Sequence, residues 1–247
     1  MRLKWAIIPL AFILIAAFDD ELFAASPLHG VAHGWAMFFF AYGVALPVLV
    51  MAIVDGGKLK ILDEIGLTKN PWPALAFAVL ATSPALIGFA LKAQLNAQLK
   101  DTDIIWGGLF FPFVEETFFR GFLFGQLYQR AGWGFWPAAL VPAVLFAAAH
   151  FGQAHEPMEI AGILAITGIG AIVFSFLFMQ WGGNIWAPFG CHAALNILWS
   201  VFNVDDTALG DTYANILRFG SIAFALGLCL VAVRLGWLKP LKPASDA

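Results

Sequence analysis

The sequence predicts an all-α fold: a polytopic transmembrane helix bundle of about eight spans, with both termini cytoplasmic. Three observations carry this. Of 247 residues, 61% are hydrophobic and only 12% charged, against about 25% charged in soluble domains. Mean hydropathy is +0.83. No soluble interior hides so large an apolar fraction, so composition excludes soluble, disordered and fibrous classes. The apolar residues also gather into eight stretches. Finally, Lys and Arg divide unevenly between the loops on the two sides.

The stretches follow in order, each bounded by Gly, Pro or charge. The first, about 5–18, follows Arg2 and Lys4 and stops at Asp19-Asp20-Glu21. With Phe23-Ala24-Ala25-Ser26 behind it, it has the outline of a signal peptide. A retained helix is expected instead, because the charge count then fits eight spans. The second, 35–54, ends at Asp55-Gly56-Gly57-Lys58. The third, 72–91, opens after Asn70-Pro71. The fourth, 104–127, follows Lys100-Asp101 and ends before Ala131-Gly132. The fifth, 133–151, precedes Glu156-Pro157. The sixth and seventh, 160–180 and 184–203, meet at Gly182-Gly183. The eighth, 213–238, follows Asp205-Asp206. Spans of this kind need about 20 apolar residues. No linker is long enough to divide the chain, so one integral membrane domain over 1–247 is expected.

Orientation follows the basic residues. With the N-terminus inside, the cytoplasmic side carries Arg2, Lys4, Lys58, Lys60, Lys69, Arg130, Arg234, Lys239 and Lys242. The other side carries Lys92, Lys100 and Arg218. The net charge of −3 comes with no basic block, so nucleic acid is not an expected partner. Cys191 and Cys229 both sit in apolar stretches and make neither a disulfide framework nor a metal motif.

Ionisable groups inside apolar spans carry the functional signal. Such a charge costs at least about 2.5–3.5 kcal/mol on insertion scales, so it needs a partner or a function. The fourth stretch holds Glu115, Glu116 and Arg120 in mid-span. Glu116 and Arg120 are i,i+4 and can neutralise each other on one face. Glu115 lies about 100° round the helix and lacks a local counter-ion. A carboxylate placed so suits general-base work.

The fifth stretch holds Phe146 and His150, with the small residues Ala147 to Ala149 between them. The seventh holds His192 and Asn196, again i,i+4. A lone buried histidine is more often an ordinary core residue than a functional one. Here the polar groups accompany buried carboxylates, and groups that lipid cannot solvate converge. Other signals are weaker. His29 and His33 read as a surface pair, with an adventitious metal site as the alternative, and His155 as a loop residue. Gly121 and Gly125 match GxxxG and predict close helix packing. No GxSxG, HExxH or phosphate-loop motif occurs.

Glu115-Glu116-x-x-x-Arg120, Phe146-x-x-x-His150 and His192-x-x-x-Asn196, in that order on separate spans, resemble the CPBP family. These are the CAAX prenyl proteases of type II and their bacterial relatives linked to bacteriocin processing and self-immunity. The resemblance covers about 104–203, the part expected to carry the catalytic motifs. It implies an intramembrane endopeptidase acting on a membrane-anchored peptide or protein, in the bacterial inner membrane. It further implies that Glu115 and His150 hold and activate a water, and that His192 and Asn196 stabilise the oxyanion. Glu116 and Arg120 are implied as supporting residues. Relatives are described both as metalloproteases and as glutamic proteases. Glu115, His150 and His192 are accordingly the candidate ligands for zinc, and a metal-free site is the alternative.

The residues themselves also supply the chemistry: a base, a group to orient water, and amide and ring donors for an oxyanion. Two other functions use the same groups. A proton or divalent-metal transporter would use buried Glu and His as a relay, although no inverted repeat is evident. A non-catalytic immunity factor would bind peptide in the same cavity and would not need Glu115 as a base.

Overall fold

The computed structural model of the chain describes residues 3–16, 18–57 and 60–243. Arg2 and Lys58, counted above on the cytoplasmic side, and position 17 of the first stretch lie outside the described residues. Among those described, every regular element is helical. The helices are α1 Leu3–Ala16, α2 Asp19–Ala25, α3 Gly34–Val54, α4 Lys60–Glu64 and α5 Pro71–Lys92. Then come α6 over 103–130, α7 Phe135–Ala148, α8 Pro157–Gln180, α9 Trp186–Val201 and α10 Thr212–Arg234.

All eight apolar stretches therefore fold as helices. The short α2 and α4 fall in segments that the sequence reads as separators. Among the described residues, five elements are long and apolar enough to cross a membrane: α3, α5, α7 with the turn after it (Phe135–Gln153), α8 and α10. With 14 and 16 residues, α1 and α9 are shorter than a full span. Residues Glu115, Glu116 and Arg120 sit in the middle of α6.

Helix starts follow their caps. The Asn70 side chain accepts from Trp72 N at the head of α5, with Pro71 in the first turn. Asp211 accepts from Ala214 N at the head of α10. Each satisfies a backbone donor that the first turn leaves orphaned. Helix α1 packs against its neighbours. Phe12 is buried with Met51, Ile61, Ile65, Phe118 and Phe122, and its carbonyl accepts from Tyr42 Oη at 2.5 Å.

The expected close packing at Gly121 is present: a Cβ there would lie 2.9 Å from Ile65 Cβ. The next residue, Gly66, has φ +85 and passes the turn before α9, where a Cβ would stand 2.1 Å from Gly183 O. Only glycine fits both the backbone conformation and the approach.

Beside this thread, Arg130 at the end of α6 ties three elements. Its Nε and Nη2 reach Glu64 at 2.6 and 2.5 Å, and Nη1 donates to Asp55 at 2.8 Å. Nη2 also pairs with Asp55 Oδ2. The guanidinium stands 4.1 Å from the Trp5 ring centroid. The hydrogen bond from Arg130 holds the Asp55 carboxyl below the usual carboxylate range.

Helix α6 is not uniform. Asp103–Phe110, Thr117–Phe124 and Gln126–Arg130 are wound as wide, π-helical turns, and Phe111–Glu116 between them is α-helical. Such turns are rare and concentrate at functional sites. Both glutamates therefore sit on the ordinary stretch, with wide turns on either side.

Candidate active site

The charges in α6 divide as their spacing predicts. Glu116 Oε1 and Arg120 Nη1 are 3.0 Å apart, and both side chains are fully buried. Their contact is ionic: none of the Arg120 nitrogens has an aligned hydrogen-bond partner among the described residues. Aromatic faces surround the guanidinium instead. The rings of Phe146, Phe174 and Phe119 lie 4.6, 5.3 and 5.9 Å from it. Ring faces are electron-rich, and the weakly hydrated guanidinium suits such a setting.

Spacing does not foretell a second contact of Glu116. His192, in the second turn of α9, places Nδ1 2.8 Å from Glu116 Oε1. A carboxylate accepts, so Nδ1–H donates and Nε2 is the free ring atom. Nε2 lies 3.8 Å from Glu115 Oε2. The ring stacks on Phe174 at 5.3 Å and 25°. One imidazole therefore spans both carboxylates. They differ in access: the Glu116 side chain is 0% exposed, that of Glu115 29%.

His150 is not on a helix. The sequence carries the fifth stretch to 151, but α7 ends at Ala148 and His150 occupies the turn before Phe151–Gln153. There it is half-buried. Its Nδ1 donates to Phe146 O at 2.7 Å, which leaves the Nε2 lone pair as acceptor. The Phe146 ring packs against both histidines, with centroids 4.7 Å from His150 and 6.1 Å from His192. Asn196, one turn beyond His192, donates from Nδ2 to Gly107 O at 3.0 Å. Phe174 belongs to the same cluster, yet nothing around it on α8 marks it in the sequence.

Among the described residues, no group of three or more His, Cys, Asp or Glu is placed to hold a metal ion. Of the candidates, Glu115 and His192 approach each other, while His192 Nδ1 is taken by Glu116. Catalytic zinc sites use three protein ligands, so these donors as arranged do not fit one. His29 and His33 do not share a helical face. The chain turns between them, His33 has φ 57, and it stacks on Trp106 at 5.3 Å. His29 packs edge-on against Phe23.

A family model described as "Type II CAAX prenyl endopeptidase Rce1-like" matches residues 102–198, the run from α6 through most of α9. The "Putative membrane peptidase YdiL" of Bacillus subtilis (strain 168) is 31% identical over 178 residues, 66% of this chain and 68% of that protein. The chain belongs to the Rce1-like family. An "Uncharacterized 24.3 kDa protein" of Escherichia coli is 32% identical over 127 residues, 45% of this chain. The match spans 58% of that protein's length. No solved structure matches. The Rce1-like match ends before α10 and begins after α5, so those helices and α1–α4 lie outside it.

Proposed function

We propose that this chain is an intramembrane endopeptidase that cuts a membrane-anchored peptide or protein through a glutamate-activated water. The observation that supports it most is the asymmetry of the two glutamates. Glu116 is sealed between Arg120 and His192, while Glu115 keeps an open face beside His192 Nε2. A structural carboxylate has no need of that access, and a base does.

Glu115 takes one proton of the water. The other points to His150 Nε2, which leaves an oxygen lone pair for the scissile carbonyl carbon. The new C–O bond puts negative charge on the carbonyl oxygen. Asn196 donates to it through the amide N–H that Gly107 does not use. His192 donates through Nε2 when both ring nitrogens carry protons, with Nδ1–H held by Glu116. Collapse of the intermediate breaks the C–N bond, and Glu115 returns its proton to the departing amine. Arg120 holds Glu116 in place.

In this reading all eight apolar helices lie in the bacterial inner membrane within one domain, both termini are cytoplasmic, and 104–203 carries the machinery. The test is reconstitution in liposomes with a panel of peptides. Each peptide has one membrane helix with varied flanking sequence, and one carries a farnesylated C-terminal cysteine. Products are read by mass spectrometry. Wild type should cleave a member that folded Glu115→Gln does not. Equal cleavage by both would end the glutamate mechanism.

A further inference from the structure

Asn196 is held by a carbonyl that has lost its helical donor, and we propose that Pro112 is the residue that frees it, a positioning residue for the oxyanion donor. This rests on the role given to Asn196 above. A wide turn is closed by an N–H that bonds five residues back, and at the end of 103–110 Phe111 N accordingly donates to Trp106 O. The next bond of that ladder would run from residue 112 to Gly107 O. Residue 112 is proline and has no N–H. Gly107 O is therefore left open, and Asn196 Nδ2 fills it at 3.0 Å.

A carbonyl only accepts, so it fixes which end of the Asn196 amide faces it. The amide is planar. Once one N–H is aimed at Gly107, the direction of the other is set. Pro84, inside α5, is treated differently. The carbonyl it frees, Leu80 O, is satisfied locally by Ser83 Oγ at 2.8 Å. At Pro112 the vacancy is filled from another helix, by a residue of the candidate site.

The experiment compares Pro112→Ala, Asn196→Ala and the double variant on the membrane peptide that wild type cleaves. Alanine at 112 restores an N–H. On a wide-turn ladder it bonds Gly107 O directly; on an ordinary one Phe111 N does so. Either donor competes with Asn196. The carbonyl has two lone pairs, so Asn196 is loosened and not expelled. The expected loss in kcat is about tenfold, below the ~10²–10³-fold of a deleted oxyanion donor, with KM unchanged. The double variant should be no slower than Asn196→Ala, since both changes act through one amide.

Melting temperature should hold or rise, because proline inside a helix is unfavourable. Hydrogen exchange should show a newly protected amide at 111 or 112. Pro84→Ala should leave the rate unchanged. Pro112→Ser, which restores the same N–H, should repeat the result. A native rate for Pro112→Ala, losses that multiply in the double variant, or loss of the fold in both 112 variants would each overturn the proposal. A native rate for Asn196→Ala would instead remove the oxyanion assignment itself.

Discussion

Replacing Arg120 by methionine strands a buried carboxylate. Arg120 and Glu116 side chains are both 0% exposed, 3.0 Å apart. Breaking a buried pair by removing one partner costs about 3–5 kcal/mol, because the remaining charge is uncompensated. Here Glu116 keeps His192 at 2.8 Å, which places the cost near the lower end, about 3 kcal/mol. Methionine fills much of the volume between Phe146 and Phe174, so the cavity contribution is small. For a chain of this size each kcal/mol moves Tm by about 2–4 °C. The variant should therefore melt roughly 6–12 °C lower.

Adding Glu116→Gln removes the stranded charge and should recover most of that loss, since an uncharged pair bears no ionic desolvation. Intrinsic fluorescence of the ten tryptophans during thermal unfolding in detergent reads both. An Arg120→Met melt within about 2 °C of wild type would refute the reasoning, given the per-kcal shift above. So would a double variant no more stable than the single.

Glu115→Gln should keep the wild-type melt and lose about 10²–10⁴-fold in peptide cleavage, the range of one general base; a native rate would remove the base assignment. His150→Ala should lose cleavage comparably with the fold intact, and normal turnover would show that the water is oriented by another group. Asp55 titrates below its ordinary value because Arg130 donates to it. Its stabilisation is complete above the unfolded carboxylate pKa of about 3.9 and is lost as pH falls through the folded value. Tm should thus fall with acid less steeply for Asp55→Asn than for wild type, and parallel curves would contradict this. Cleavage should survive a strong chelator, because Glu115, His150 and His192 do not form a group placed to hold a metal ion; activity lost to chelator and restored by zinc would show that they do.

The helices were legible because a membrane span is written as a long apolar run, whatever it packs against. Mid-span charge was legible for the same reason: Glu115, Glu116 and Arg120 stand out against their surroundings. The end of α7 was not. Ala147 to Ala149 carry no stop signal, so the apolar run continues past the point where the chain turns. Nor was the Glu116–His192 contact, because spacing reports partners one turn away and these lie 76 positions apart. The cover over Arg120 was hidden too, since Phe174 is one apolar residue among many. The wide turns of α6 leave no periodic trace in a helix apolar on most faces.

Those turns have a consequence for length variation. A wide turn is an ordinary helical turn with one residue too many. Deleting a residue within 103–110 can therefore be absorbed by tightening a turn, with the helix unbroken and Glu115 and Glu116 kept in register with α9. The helix entrance would swivel instead. A deletion within 126–130 would spare the glutamates and rotate Arg130 away from Asp55 and Glu64. The two ends of α6 can thus gain or lose residues separately while the stretch between them stays in frame. A deletion inside 111–116 has no such slack and would turn Glu115 off its face.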